Sequence, residues 1–409
     1  MKYLMNLILL GLIVINFIKL SFLLLFKKVW RDDLFWSLGI KKVKIPERKQ
    51  GKIRIWVHAV SLGETKAIES FIIHIKQELP DVEIIKSSIT KTGHARSLEK
   101  KEIFDYSFYL PIDFSWRARR LAKKINPDLF LLVENDYWPN LLLALKAQGT
   151  KVALINGRLS TASYDRYSMI PGFAKRLFSS FDIMCLQSEL YRTRFCKLGV
   201  SENCMHITGN IKFDAKSVMN AKSGLVFPEN KKIITIASTH DGEEKLILKA
   251  LREMDDSVCL MIAPRHPARF SKVAELIEQE GIRYRRINEE GHGDEKVILV
   301  DMMGVLDECF KKSSVAVLGG SFISDIGGHN IFEPVRLGTP VIYGPYMHKQ
   351  EILVDQFKKH KVGRQVELKN LKQTLEGYLN GKFQEERVAL LINEVAGATE
   401  RSWNVIKKL

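Results

Sequence analysis

Two carboxylates, a lysine and an arginine each follow closely on a short apolar run in the first half of the chain, and together they could move a proton and hold an anion. Glu64 lies in His58-Ala59-Val60-Ser61-Leu62-Gly63-Glu64-Thr65, where a strand-type run gives way to a helix-type one. Gly63 permits a tight turn, and Glu64 falls at the helix N-terminus. A carboxylate there either complements the helix dipole or, with its pKa tuned upward, acts as a general base on a sugar hydroxyl. This segment alone leaves both readings open. Val133-Glu134-Asn135-Asp136-Tyr137-Trp138-Pro139-Asn140 gathers two acids and an aromatic pair ahead of a proline suited to a first helical position. Arg158, in Asn156-Gly157-Arg158-Leu159-Ser160, offers a planar guanidinium for bidentate anion contact. Lys212, in Gly209–Asp214, reads either as a solvated cation or as a partner for a substrate carboxylate.

The second half repeats the pattern with glycines. Ser238-Thr239-His240 and Pro264-Arg265-His266 each follow a clean strand-type run, as does Gly319-Gly320-Ser321. Gly327-Gly328-His329-Asn330-Ile331-Phe332-Glu333 then opens a helix. Glycine pairs let backbone amides approach a phosphate, and a glutamate one turn into such a helix can accept hydrogen bonds from ribose hydroxyls. Ser238, Thr239, Gly320, Ser321 and Arg158 are accordingly candidate phosphate or substrate contacts. Four polar loops after four successive strands point to a nucleotide cleft. There is no G-x-x-x-x-G-K-[ST] loop, no H-E-x-x-H and no D-x-D pair. The ten histidines are scattered, so His58, His240, His266 and His329 read as hydrogen-bonding residues rather than metal ligands. No metal and no cofactor is expected.

The elements that must position these residues alternate. Ile53–Val60, Val82–Ile89, Leu129–Val133, Lys151–Asn156 and Ile183–Leu186 are strand-type runs, separated by amphipathic stretches such as Lys66–Leu79 and Ser115–Ile125. After a polar stretch with Gly224 and Pro228, the series restarts at Ile233–Ala237, Val258–Ala263, Val297–Val300, Val315–Leu318 and Val341–Tyr343. The alternation predicts two doubly wound, Rossmann-like α/β domains with parallel sheets, whose ligands bind beyond the carboxyl ends of the strands. The 409 residues suffice for two cores, and 46% apolar with 27% charged composition excludes a disordered chain. An excess of 63 Lys and Arg over 47 Asp and Glu, +16 net, suits an anionic partner. Five widely spaced cysteines without a C-x-x-C argue against a disulfide framework and for a reducing compartment. Tyr3–Phe26 is apolar enough for a membrane helix; Lys27, Lys28 and Arg31 follow it and no small-x-small cleavage site does, which predicts a retained anchor with a cytoplasmic body.

In order and spacing, S-L-G-E-T (61–65), E-N-D-Y-W-P-N (134–140), N-G-R-L-S (156–160), G-N-I-K-F-D (209–214), T-H-D-G-E-E (239–244), P-R-H-P-A-R-F (264–270) and G-G-H-N-I-F-E (327–333) resemble the Kdo (3-deoxy-D-manno-octulosonic acid) transferases, glycosyltransferase family 30. The resemblance covers nearly the whole chain, and its motifs are short singly but specific as a set. It implies a GT-B fold: two Rossmann-like domains facing a cleft, with the C-terminal helix returning to the first. The domains would be an anchor over 1–28, an acceptor domain over 29–214, a linker over 215–232, a donor domain over 233–385 and the returning helix over 386–409.

It also implies metal-independent, inverting transfer of Kdo from CMP-Kdo to a lipid A precursor (lipid IVA) at the inner membrane of a Gram-negative bacterium. By motif, Glu64 would be the general base, and Glu134 and Lys212 would stabilise the transition state. Pro264, Arg265, Met303, Gly304, Val305, Asn330, Ile331, Phe332 and Glu333 would line the CMP pocket. Three positions depart from the family pattern: Trp36 lies where a G-E-R-x-G element is common, Val305 replaces a glutamate, and Ile331 a proline. The basic residues Arg117, Arg119, Arg120, Lys123 and Lys124 beside Trp116 suit membrane lipid or the acceptor's phosphates. They do not interleave with a nucleic-acid motif, so no nucleic acid is expected. The competing readings are a sugar-nucleotide enzyme with another donor, and a membrane-tethered binding protein without turnover.

Overall fold

A computed structural model of the chain describes residues 45–214, 224–291, 294–381 and 385–409. The apolar run Tyr3–Phe26, Trp36 and the first half of the 215–232 stretch lie outside them. Among the described residues no helix is long and apolar enough to cross a membrane. The chain divides into two compact units: one ends at Lys216 and regains Val395–Leu409, and the other runs from Ser217 to Glu394.

The first unit holds seven parallel strands, β1 (Arg54–His58), β2 (Glu83–Ser88), β3 (Tyr106–Tyr109), β4 (Leu129–Val133), β5 (Lys151–Gly157), β6 (Ile183–Leu186) and β7 (Met205–Ile207), in the order β3-β2-β1-β4-β5-β6-β7. A parallel sheet covered on both faces needs strands apolar at every position, and β4 (Leu-Phe-Leu-Leu-Val) is buried throughout. Its alternate residues feed two cores. Phe130 and Leu132 join Trp56, Val152 and Phe178 on one face. Leu129, Leu131 and Val133 join Ile55, Phe71 and Trp403 on the other. The register sets Arg54 opposite Glu83, and their buried side chains pair at 2.5 Å.

The returning helix Ala398–Ile406 belongs to this unit. Asp214 accepts the N–H groups of Gly397 (2.7 Å) and Thr399 (2.5 Å), and the Trp403 ring meets Phe71 edge-on. The sequence placed the return at 386. The unit regains the chain only at Val395, because Glu394 at the end of the preceding helix is held by Lys359 and His360 of the second unit.

The second unit repeats the plan with β8 (Lys232–Thr239), β9 (Val258–Pro264), β10 (Tyr284–Arg286), β11 (Val297–Leu299), β12 (Val315–Leu318), β13 (Val341–Tyr343) and β14 (Arg364–Gln365), ordered β10-β11-β9-β8-β12-β13-β14. All its pairings are parallel. The winding changes direction between β1 and β4 in the first sheet and between β8 and β12 in the second, where β11 also turns back to lie between β10 and β9. At such a switch point neighbouring loops leave in opposite directions and open a crevice beyond the carboxyl ends.

Candidate active site

Glu64 follows β1 and Glu134 follows β4, so the two carboxylates flank the switch point of the first sheet. Ser61 caps the helix Leu62–Glu78, its hydroxyl accepting the Glu64 N–H at 3.2 Å. Glu64 answers through Oε2, which takes the Val60 N–H at 2.7 Å, and Oε1, which takes the Ser61 hydroxyl at 3.1 Å. This reciprocal cap fixes the carboxylate at the positive end of the helix. Burial raises its pKa above the usual glutamate value, Glu134's charge raises it further, and the two hydrogen bonds and Lys212 oppose the rise. The carboxylate thus complements the helix dipole while holding its proton more strongly than an ordinary glutamate.

The floor of this loop is the turn after β2. Thr90 Oγ1 donates to Val60 O at 2.9 Å, and a Cβ on Gly93 would stand 2.9 Å from the same oxygen, so only glycine lets the two loops close on each other. Lys86 is buried beneath, donating to Thr65 Oγ1 (2.9 Å), Ser88 Oγ (2.5 Å) and Gly93 O (3.1 Å). Burial pushes this ammonium down to about 7, with Glu64 and Glu69 acting in the opposite direction. His58 is also buried, its Nδ1 2.8 Å from Ser87 Oγ and its Nε2 3.8 Å from Asp136 Oδ2, too long for a hydrogen bond. Trp138 Nε1 donates to that same Asp136 oxygen at 3.0 Å, which ties the aromatic pair to the site wall.

Glu134 is 1% exposed and holds a left-handed backbone (φ +67°) that glutamate rarely adopts. Its carboxylate pairs with Lys212 through Oε1 and lies 3.1 Å from Arg158 Nε through Oε2. Asn156, also left-handed (φ +55°), binds both sides of this arrangement. Its Nδ2 donates to Glu134 Oε1 at 3.3 Å and its Oδ1 accepts the Ile211 N–H at 3.2 Å, next to Lys212. A register shift between β5 and β6 falls at this point, between Leu154 and Gly157. Bulges of this kind re-aim side chains beside active sites, and strained backbone collects there. Sequence reasoning passed over Asn156; the available signal was an Asn-Gly pair at a strand end, where asparagine tolerates the left-handed region.

The second sheet has its own polar centre at the β8/β12 switch point. Ser238 is left-handed (φ +58°) at a register shift between Ala237 and Thr239. Glu243, fully buried, accepts three backbone N–H groups: His240 (3.0 Å) and Gly320 (2.6 Å) on Oε2, and Phe322 (3.0 Å) on Oε1. The carboxylate thereby locks the β8 loop to the β12 loop. Glu243→Gln would set an amide NH₂ against an N–H donor. The expected cost is about 1–3 kcal/mol for each N–H left unpaired, read as a lower Tm; an unchanged Tm would show that the clamp contributes nothing.

The other candidate positions divide. Arg265 is exposed at the end of β9, with its N–H on Thr239 O at 3.0 Å, after the buried Pro264. Met303 and Gly304 are exposed, whereas Val305, Ile331 and Phe332 are buried, so those three turn their side chains into the core. The Val305 and Ile331 departures therefore fall on core side chains. Asn330 Oδ1 takes the Phe332 N–H at 3.1 Å, and its Nδ2 lies 3.4 Å from the half-buried Glu333. The hydroxyls of Thr239 and Ser321 donate within the protein, to Glu244 (2.8 Å) and Leu318 O (2.5 Å). Among the described residues no group of three His, Cys, Asp or Glu side chains is arranged to hold a metal ion. All five cysteines are free thiols.

Two doubly wound parallel sheets, each with a polar centre at its switch point, define an α/β protein built from two Rossmann-like units. The fold is similar over 88% of this chain, with TM-score 0.62 and 16% identity, to UDP-GlcNAc 2-epimerase from Neisseria meningitidis bound to UDP-GlcNAc, all of which is covered (100%). Residues 37–215 match the family model described as 3-deoxy-D-manno-octulosonic-acid transferase (kdotransferase). The chain is 30% identical over 371 residues to the 3-deoxy-D-manno-octulosonic acid transferase of Haemophilus influenzae, with 86% of each covered. To that of Chlamydophila psittaci it is 27% identical over 403 residues, covering 94% of this chain and 92% of the relative. The chain belongs to the Kdo transferase family and is a glycosyltransferase.

Proposed function

We propose that the protein transfers Kdo from CMP-Kdo to a lipid A precursor, with Glu64 as general base and Glu134 and Lys212 stabilising the transition state. The observation that carries this reading is the Glu64 carboxylate, fixed at a helix start and raised in pKa by burial and by Glu134. Such a group holds a proton more strongly than an ordinary glutamate, which suits removal of a proton from a sugar hydroxyl. The acceptor oxygen bonds to the anomeric carbon as the bond to the phosphate oxygen breaks. The electron pair leaves with CMP, and the proton passes to Glu64. Lys212 and Arg158, held by Glu134, supply positive charge toward the carboxylate of Kdo or the departing phosphate. The polar loops after β8, β9 and β12 receive CMP in this reading, with Arg265 exposed beside them.

The same proposal includes a GT-B arrangement with inversion at the anomeric carbon. It includes an N-terminal anchor in a bacterial inner membrane with the catalytic units in the cytoplasm. Support for the anchor is the apolar Tyr3–Phe26 run with Lys27, Lys28 and Arg31 after it. The helix Ser115–Ile125 adds Trp116, 54% exposed, over which Arg117 stacks at 4.6 Å. Tryptophan beside basic residues suits a headgroup surface. Incubating the full chain with CMP-Kdo and a tetra-acylated lipid A precursor should yield a Kdo-bearing lipid by mass spectrometry, with CMP released in equal amount. Turnover of a uridine donor instead, or of none, would reverse the assignment.

A further inference from the structure

Two histidines meet at the β8/β12 switch point in a way that chain packing alone does not require. His240 Nε2 and His329 Nε2 are 2.8 Å apart, and the ring planes differ by 11°. Two imidazole nitrogens at that distance share one proton, one ring donating and the other accepting. Both rings are seated by the loops they face. The His240 N–H is held by Glu243, and a Cβ on Gly320 would lie 2.8 Å from His329 Cδ2 and 2.9 Å from its Nε2. The backbone at 320 is left-handed (φ +67°), so this close approach is built on a position that favours glycine.

The charges that act on the two rings are of one sign. Burial is the main cause that lowers the pKa of both rings; Arg265, Lys349 and His266 act in the same direction on each, as does Arg269 on His240, and together with the His240 ring they bring His329 to about 4. The neighbouring carboxylates are committed elsewhere. Glu243 serves three backbone N–H groups, Glu244 takes Arg269 and the Thr239 hydroxyl, and Asp241 takes Arg269. A neutral pair, short of a second proton, therefore faces net positive charge from Arg265 and Lys349. An arriving anion would both satisfy that charge and make the second proton favourable.

We infer that His240 and His329 form a proton-linked receptor for the phosphate of a nucleoside monophosphate. An anionic oxygen enters between the two Nε2 atoms, replaces their shared N–H···N bond by two N–H···O bonds, and the pair takes up one proton from solvent. No covalent bond changes. The inference rests on the nucleotide reading of this unit and deepens it, because it makes affinity for the phosphate fall with rising pH.

The test is calorimetric titration of the full chain with CMP at pH 7.5 in two buffers of different ionisation heat. A phosphate monoester with a second pKa of about 6 is already mainly dianionic there, so it has little proton of its own to exchange. The expected result is uptake of about one proton per CMP, and a Kd rising about tenfold per pH unit above neutrality. Inorganic phosphate should show proton uptake of the same sign at lower affinity, smaller in amount because part of it already carries a second proton at this pH, and cytidine none. His329→Gln and His240→Gln should each bind CMP about tenfold more weakly and lose the uptake, while His266→Gln retains it. CMP binding without a difference between the buffers would overturn the inference and leave the nucleotide reading standing. Undiminished uptake in both pair variants would do the same. Failure of CMP to bind at all would overturn both.

Discussion

Glu64→Gln will abolish transfer while leaving the protein folded. Glutamine keeps the shape and one acceptor oxygen, which can hold the 2.7 Å bond from Val60 N–H. Its NH₂ then faces the Ser61 hydroxyl, which can turn its lone pair to accept. Loss of the charge at the helix start costs about 0.3–1 kcal/mol, within reach of a small shift in Tm. Loss of the base costs about 10²- to 10⁴-fold in rate. These magnitudes separate a helix-capping role from a catalytic one. The pH profile separates them again. A base works only when ionised, so the rate must fall as pH drops through the Glu64 pKa. Burial and Glu134 hold that pKa above the ordinary value, so the acid limb of kcat/KM belongs above the usual glutamate range. The residual rate of the variant should lack that limb. Transfer within threefold of the parent, at equal folded concentration, would remove Glu64 from the chemistry.

Replacing Glu134 should damage both stability and rate, and the two losses have different signatures. Its carboxylate is almost fully buried and is shared by Lys212 and Arg158. Breaking a fully buried pair costs about 3–5 kcal/mol. Both cations here are about a third or more exposed, so water screens them and about 1–3 kcal/mol is the better expectation for Glu134→Gln. Two cations then lose the group that aims them, and about a 10²-fold fall in kcat follows. The acid limb set by Glu64 should also move to lower pH, since a negative neighbour disappears. A limb that stays in place would mean the charge at 134 does not reach Glu64. The backbone gives an independent check. At φ +67° alanine is strained and glycine is not, so Glu134→Gly should melt higher than Glu134→Ala by about 1 kcal/mol.

The ten apolar runs read from the sequence are all strands, and the four strands it did not announce share a position. β3, β7, β10 and β14 are the outer strands of the two sheets. Tyr-Ser-Phe-Tyr, Met-His-Ile, Tyr-Arg-Arg and Arg-Gln are short and partly polar, because an edge is covered on fewer sides and a paired neighbour supplies half of its order. Central strands advertise themselves because both of their faces are buried. Glu134 was legible for a related reason: it stands directly after the five apolar residues of β4, where the strand ends. What could not be read was direction. Val305 is buried beside the exposed Met303 and Gly304, and Ile331 and Phe332 are buried between the half-buried Asn330 and Glu333; spacing does not say which residue of a loop turns inward. Asn156 escaped for the opposite reason, since its task is to hold Glu134 and the Lys212 segment together rather than to meet a substrate.

The helix Ala398–Ile406 has a bearing on how the protein is made. Phe71 and Trp403 belong to one core yet stand at opposite ends of the polypeptide, and Asp214 has its partners at Gly397 and Thr399. During synthesis the first unit emerges early but has an open seam along Phe71 until the last residues leave the ribosome. The second unit has all its strands by then and can fold first, against the usual order of N-terminal before C-terminal. The unit carrying Glu64 is thus sealed last, and a ribosome that stops short of Trp403 releases a chain whose first core has never closed.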